Sequence, residues 1–134
     1  MSDFNTNVIA EFRSNKGQVG GGFAGAPMVV LTTTGAKSGQ PRTTPLVYLA
    51  DGDRVVIFAS KAGAPTNPDW YHNLRAHPRV TVELGAETFE ADATVAEGDE
   101  RERLFAMQVS VMPGFAEYQE KTERVIPVVV LTRV

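Results

Sequence analysis

The sequence predicts an α+β fold: a small β-barrel of about six mainly antiparallel strands, with three or four helices packed around it. Three observations carry this. Strand-like runs follow one another closely from Met28 to Ser60, the loops Asp51–Arg54 and Gly85-Ala86 have the composition of tight hairpins, and residues 80–95 alternate apolar and polar. Hairpin links imply antiparallel pairing, because parallel neighbours need long crossovers. Alternation with a period of two implies strands with one buried face. At 134 residues, 43% of them hydrophobic, the chain suits one domain, 1–134, that buries roughly two-thirds of its unfolded surface.

Taking the elements in order, Phe4, Val8, Ile9 and Phe12 recur at helical spacing behind Ser2/Asp3 as N-cap and predict a short amphipathic helix at roughly 3–15. The glycine-rich run 16–26 reads as a connection. Its Gly20, Gly22 and Gly25 have the G-x-G-x-x-G spacing of dinucleotide folds, but no strand precedes them, and Pro27 with a strand-like run follows where a helix should start. Strands are expected at Met28–Thr33, Arg42–Ala50 and Val55–Ser60, the last two joined by a hairpin at Asp51–Arg54. Asn67 as N-cap, with Pro68 at the first helical position, opens a helix that Pro78 closes near His77. Val80, Val82 and Leu84 then alternate with polar residues, as do Phe89, Ala91, Ala93 and Val95, giving two strands joined at Gly85-Ala86. Asp99 and Glu102 have the spacing of a capping box for a helix near 100–111. Met112-Pro113-Gly114 breaks that helix, a short one follows through Thr122, and 128–132 is a last buried strand.

Several chemistries are excluded or disfavoured. Without cysteine there is no disulfide, thiolate nucleophile or Cys-ligated metal. The opening residues carry Asp3 and Glu11 and no long apolar run, so neither a signal peptide nor a membrane span is expected and the expected address is cytoplasmic. His72 and His77 are five apart and share no helix face, which predicts no metal site. No serine lies in a G-x-S-x-G elbow. The net charge of −3 argues against general nucleic-acid binding, but the charge is uneven. Residues 1–80 hold eight Lys/Arg and five Asp/Glu, whereas residues 81–134 hold five and eleven.

Two stretches carry candidate chemistry. TTTGAKSGQPRTTPL, residues 32–46, looks like a phosphate loop, but G-x-x-x-x-G-K-[ST] fails, since Ala36 directly precedes Lys37 and no glycine stands six residues before it. What remains is a turn from Gly35 to Gly39 that carries Lys37, with Arg42 just beyond; such a turn suits a phosphate or carboxylate, or is simply a hairpin tip with solvated charges. ASKAGAPTNPDWYHNL, residues 59–74, combines small residues that admit a flat ring with Lys61, Trp70 and Asn73. The plain alternative is that Trp70 and Leu74 are core.

Together these stretches, with the glycine run before PMVVLTTTG, the G-x-KSG-x-x-R-x-x-PL pattern, NPDWYHNL and the ER-x-x-PVVVL ending, make the chain similar to the deazaflavin-dependent nitroreductase family. That family uses coenzyme F420 on a split β-barrel. The resemblance implies that Lys37, Ser38, Gly39 and Arg42 hold the cofactor phosphate and acidic tail, and that Thr44 and Pro45 lie along the deazaflavin ring. It also implies that Ser60, Lys61, Gly63 and Ala64 line ring and phosphate, while Trp70, Asn73 and Leu74 close the site. Phe115 and Tyr118 would form the substrate pocket, and the candidate catalytic proton donors are Ser60 and Tyr118, with water as the alternative. The implied reaction is hydride transfer from reduced deazaflavin to an unsaturated, quinone-like or nitro-aromatic small molecule. An FMN-dependent split-barrel oxidoreductase and a non-catalytic deazaflavin carrier are the alternatives. The chain departs from the family pattern at Ala36, where arginine is frequent, and at Ala62, where a second glycine is common. Expected partners are the small-molecule substrate and, in a homodimer, a second copy; the N-terminal helix could cover its own core, a partner or a lipid surface.

Overall fold

The structure, a computed structural model, describes residues 3–14 and 27–134. The expected cap at Ser2 and the expected connection at 16–26 lie outside them. Helices are α1 (Asp3–Ser14), α2 (Asp69–Ala76), α3 (Gly98–Val111) and α4 (Gly114–Glu120). Strands are β1 (Met28–Thr34), β2 (Pro41–Val47), β3 (Leu49–Asp51), β4 (Arg54–Phe58), β5 (Arg79–Leu84), β6 (Glu87–Val95) and β7 (Val128–Arg133). The strands form one sheet in the order β2-β1-β5-β6-β7-β4-β3, with every pairing antiparallel. The fold is an α+β split barrel.

Seven strands stand where about six are expected, because the run Arg42–Ala50 is two strands. β2 pairs along the whole of β1, from Met28 opposite Val47 to Thr34 opposite Pro41, whereas β3 pairs with β4. These partners lie near opposite edges of the sheet, so no straight strand can serve both. The chain turns the corner at Tyr48, whose N–H still bonds to Pro27 O at 3.1 Å, in register with the β1–β2 pairing, before Leu49 pairs with β4. The sheet curls until β2 comes against β4, which nearly closes the barrel. Both hairpins form as expected, at Gly52-Asp53 and Gly85-Ala86.

Alternation along the strands sorts the core. Val29, Leu31, Ile57, Val82 and Leu131 point to an inner cluster with Trp70 and Leu74 of α2. Val56, Phe58, Val128 and Val130 face the other way, toward Leu104, Phe105 and Phe115 of α3 and α4. Met28 and Val30 receive Val8, Ile9 and Phe12 of α1, so the N-terminal helix covers its own sheet. Each such side chain contributes about 1.5–3 kcal/mol by leaving water.

Two helix starts differ from expectation. Pro68 occupies the cap of α2 rather than its first turn, and Asn67 Oδ1 accepts Arg124 Nη1 at 2.7 Å. A charged donor has displaced the backbone N–H that an asparagine cap would serve. At α3, Glu97 holds the cap position without a side-chain bond, and Asp99 lies inside the first turn. Glu102 accepts Arg101 instead, at 3.1 Å, so no capping box forms. β4 also stops at Phe58, two residues before the expected end, because Ser60 and Lys61 enter a 3-10 turn, Lys61–Gly63.

Candidate active site

The β1–β2 connection is a closed turn. Gly35 N–H bonds to Gln40 O at 2.8 Å, Gly39 N–H bonds to Gly35 O at 3.0 Å, and Ser38 Oγ accepts Gln40 N–H at 3.2 Å. A side chain at Gly35 would place its Cβ 2.5 Å from Ser38 Oγ and 3.2 Å from Gln40 O. Lys37, Ser38, Gly39 and Arg42 are all exposed on this turn and its exit. The turn is anchored from behind by Asn73, which is buried in α2. Its Oδ1 accepts Ala36 N–H at 2.9 Å, and its Nδ2 donates to Thr33 Oγ1 at 3.2 Å. Thr33, buried in β1, passes its own hydroxyl hydrogen toward Arg42 O at 3.5 Å. Asn73 is therefore committed to protein groups at both ends of its amide, and it acts on the site by placing the turn.

The second loop, 59–67, leaves β4 and leads into α2. Lys61 has φ 46°, the one positive φ at a non-glycine among the described residues. Such strain persists only where the surroundings enforce it. Gly63, at φ 82°, is required twice over, since a Cβ there would lie 2.9 Å from both Lys121 Cβ and Tyr118 O of the α4 region. The turn is closed by Gly63 N–H to Ser60 O at 2.9 Å and Ala64 N–H to Lys61 O at 3.0 Å. Ser60 is buried, and Lys61 reaches Thr66 Oγ1 at 3.3 Å.

Two contacts relate the loops: β2, which leaves the first, comes against β4, which runs into the second, and Asn73 of α2, the helix that the second loop enters, accepts Ala36 N–H of the first. Thr44 and Pro45, half-buried on β2, lie on the strand that comes against β4, the strand that runs into Ser60. Tyr118 sits beside the second loop, because α4 packs on the 3-10 turn. Trp70 and Leu74 belong to the inner core and support the site from beneath. Phe115 is buried edge-on against Phe58, with ring centroids 5.7 Å apart, and against Tyr118 at 5.2 Å. Of the expected substrate pair, Tyr118 is the partly exposed member. A separate groove of about 550 Å³, lined among others by Thr32, Thr34, His77, Arg79 and Glu90, contains none of the expected site residues.

Charge pairing divides the molecule. Arg13, Arg54, Arg79, Arg101, Arg103 and Arg133 each pair with a carboxylate. Arg75 and Lys121 lie over tyrosine rings. Among the described residues the remaining cations, Lys37, Arg42, Lys61 and Arg124, pair with no carboxylate, and all four belong to these two loops or bond to them. Cations left without counter-charges beside small residues are a donor set for an anionic ligand with a flat body. Sequence reasoning missed Arg124 and Thr33. Neither stands in a local pattern, and the only signal for Arg124 was its place in the ER-x-x-PVVVL ending.

The pattern of the F420H(2)-dependent quinone reductase family matches residues 5–133. The chain belongs to that family. An F420H(2)-dependent quinone reductase of Mycobacterium tuberculosis is 42% identical over 128 residues, covering 92% of this chain and 86% of the relative. The solved structure of an F420-H2 dependent reductase, FDR-A, superposes with a TM-score of 0.73 at 42% identity, covering 78% of this chain and 93% of that one. A structure described as a domain-swapped dimer gives a TM-score of 0.75 at 39% identity, covering 94% and 92%. As a member of the F420H(2)-dependent quinone reductase family, the protein is an oxidoreductase whose cofactor is coenzyme F420. The cations without carboxylate partners fit that group, which joins a flat ring to a phosphate and an acidic tail. Among the described residues no helix is long and apolar enough to cross a membrane.

Proposed function

We propose that the protein reduces quinones with reduced coenzyme F420 in the cytoplasm, working as a homodimer. The observation that carries this is the segregation of charge among the described residues: other cations pair with carboxylates or, like Arg75 and Lys121, lie over tyrosine rings, whereas Lys37, Arg42 and Lys61 on the two loops do neither. Relatives described as quinone reductases favour quinones over nitro-aromatic or other unsaturated acceptors, and the 39% identical domain-swapped dimer favours the homodimer.

The cofactor supplies a hydride, two electrons with one proton, and the quinone needs one further proton to become the hydroquinone. The protein's work is anchoring and orientation. Lys37, Ser38, Gly39 and Arg42 hold the phosphate and acidic tail, each charge-assisted hydrogen bond contributing roughly 1.5–3 kcal/mol. Thr44 and Pro45 on one side, and Ser60, Lys61, Gly63 and Ala64 on the other, confine the ring. Asn73, Trp70 and Leu74 fix the two loops from beneath, while Tyr118, with Phe115 behind it, forms the wall against the acceptor. Ser60 Oγ or the Tyr118 hydroxyl delivers the second proton.

The test is a fluorescence titration with F420 and FMN, followed by anaerobic mixing of the reduced complex with quinones, nitro-aromatics and unsaturated ketones. Binding of F420 and rapid reoxidation by quinones are expected. Reoxidation by nitro-aromatics alone would remove the quinone assignment, and preference for FMN would remove the site.

A further inference from the structure

Arg124 has no part in the roles above, yet it is joined to the second loop by four hydrogen bonds. Its guanidinium donates to Ala59 O at 3.0 Å, Ser60 O at 2.9 Å, Ala64 O at 3.0 Å and Asn67 Oδ1 at 2.7 Å. All four acceptors lie within the segment 59–67 that carries Ser60, Lys61, Gly63 and Ala64. All four are also neutral. Arg101, the other arginine drawn inside, instead donates to Ile126 O and Gln119 Oε1 and pairs with Glu102. Burial lowers the Arg124 pKa from its ordinary value with no carboxylate to raise it. A guanidinium nonetheless stays protonated in a protein, so a positive charge is fixed behind the turn.

We propose that Arg124 is a positioning residue of the cofactor site: it draws the carbonyl oxygens at both ends of the Ser60–Ala64 turn onto itself, holds Lys61 in its left-handed conformation, and keeps an unneutralised positive charge behind the surface that meets the anionic cofactor. The proposal rests on the reading that this turn meets F420. Carbonyl oxygens facing an anion would repel it, and here three of them are turned toward a cation instead. A planar fork spans several acceptors in one fixed geometry, which a single ammonium cannot do. The strained Lys61 backbone is the product of that hold, since the bonds to Ser60 O and Ala64 O bracket it on either side.

The test compares R124Q, which removes charge and fork, with R124K, which keeps the charge alone. Hydrogen exchange of the cofactor-free proteins reads the turn directly: amides of 60–67 exchange at least about tenfold faster in R124Q, while β5 and β6 are unchanged. The F420 dissociation constant rises about tenfold or more in R124Q, and R124K recovers part of that loss at low salt without recovering the protection. Wild-type exchange and affinity in R124Q overturn the proposal, as do equal dissociation constants for the two variants at low salt. If R124Q does not fold, R124K carries both measurements, and wild-type values in it are the overturning result. Failure of the wild-type protein to bind F420 sinks the functional reading, whereas the exchange data still decide whether Arg124 holds the turn.

Discussion

Asn73 Oδ1 accepts the backbone N–H of Ala36 at 2.9 Å across 37 residues of chain, which fastens the KSG turn to helix α2. Replacing Asn73 with alanine removes this bond and the one to Thr33, and a destabilisation of about 1–3 kcal/mol is expected in urea unfolding. Asn73→Asp retains an acceptor for Ala36 but puts a buried negative charge behind an anion-binding turn. Its F420 affinity should fall below that of the alanine variant. Equal affinity in the aspartate and wild-type proteins would show that the turn holds no anion.

Ala36 itself uses only its backbone. Its side chain is exposed, so arginine at this position is accommodated without repacking. Ala36→Arg should tighten F420 binding by up to the roughly 1.5–3 kcal/mol of a charge-assisted hydrogen bond. The gain should shrink as salt is raised. Titration at two ionic strengths checks both parts.

What the sequence disclosed and what it hid follow from distance along the chain. The hairpins at Gly52-Asp53 and Gly85-Ala86 were legible because turn chemistry is local. The break at Tyr48 was not, since Arg42–Ala50 reads as one strand and only pairing with two separate partners, β1 and β4, divides it. Lys37, Arg42 and Lys61 were legible as cations beside small residues. Arg124 was not, because its acceptors lie 57 to 65 residues away. Asn73 was legible as a residue of the second stretch, but its bonds to Ala36 and Thr33 were not, because those partners lie 37 and 40 residues away. Asn67, read as a helix cap, serves Arg124 for the same reason, since long-range partners outrank local ones once burial makes the charge expensive to leave unbonded.

The backbone at Lys61 offers a test of strain against function. Lys61→Gly relieves a left-handed conformation costing about 1–2 kcal/mol and loosens the unfolded chain by somewhat less. Thermal stability should therefore hold or rise slightly while F420 binding weakens. Gly63→Ala is the counterpart, expected to cost about 2 kcal/mol or more because its Cβ meets Tyr118 O and Lys121 at a strained φ. A Gly63→Ala protein as stable as wild type would show that α4 is not seated on the turn.

At the far side of the barrel, Arg103, and after it Arg54, hold the Asp51 carboxyl below the usual carboxylate range by hydrogen bonding. A lowered folded pKa gives stability that is present above the unfolded value of about 3.9 and is lost as pH falls through the folded one. Asp51→Asn should therefore flatten the acid limb of the stability curve below about pH 4 and leave F420 binding at neutral pH unchanged. Denaturant midpoints measured across pH 2.5 to 7 would show it.

The division of the cations has a consequence for the life of the protein in a cell. Arginines that hold carboxylates stiffen the fold in any state, but Lys37, Arg42, Lys61 and Arg124 meet no carboxylate until an anionic ligand arrives. The cofactor-free chain is thereby the weaker form, and saturating F420 adds RT ln(1 + [L]/Kd) to its resistance to unfolding. Proteases remove the weaker form first. Abundance of the enzyme would then track the supply of its cofactor, with no transcriptional control required.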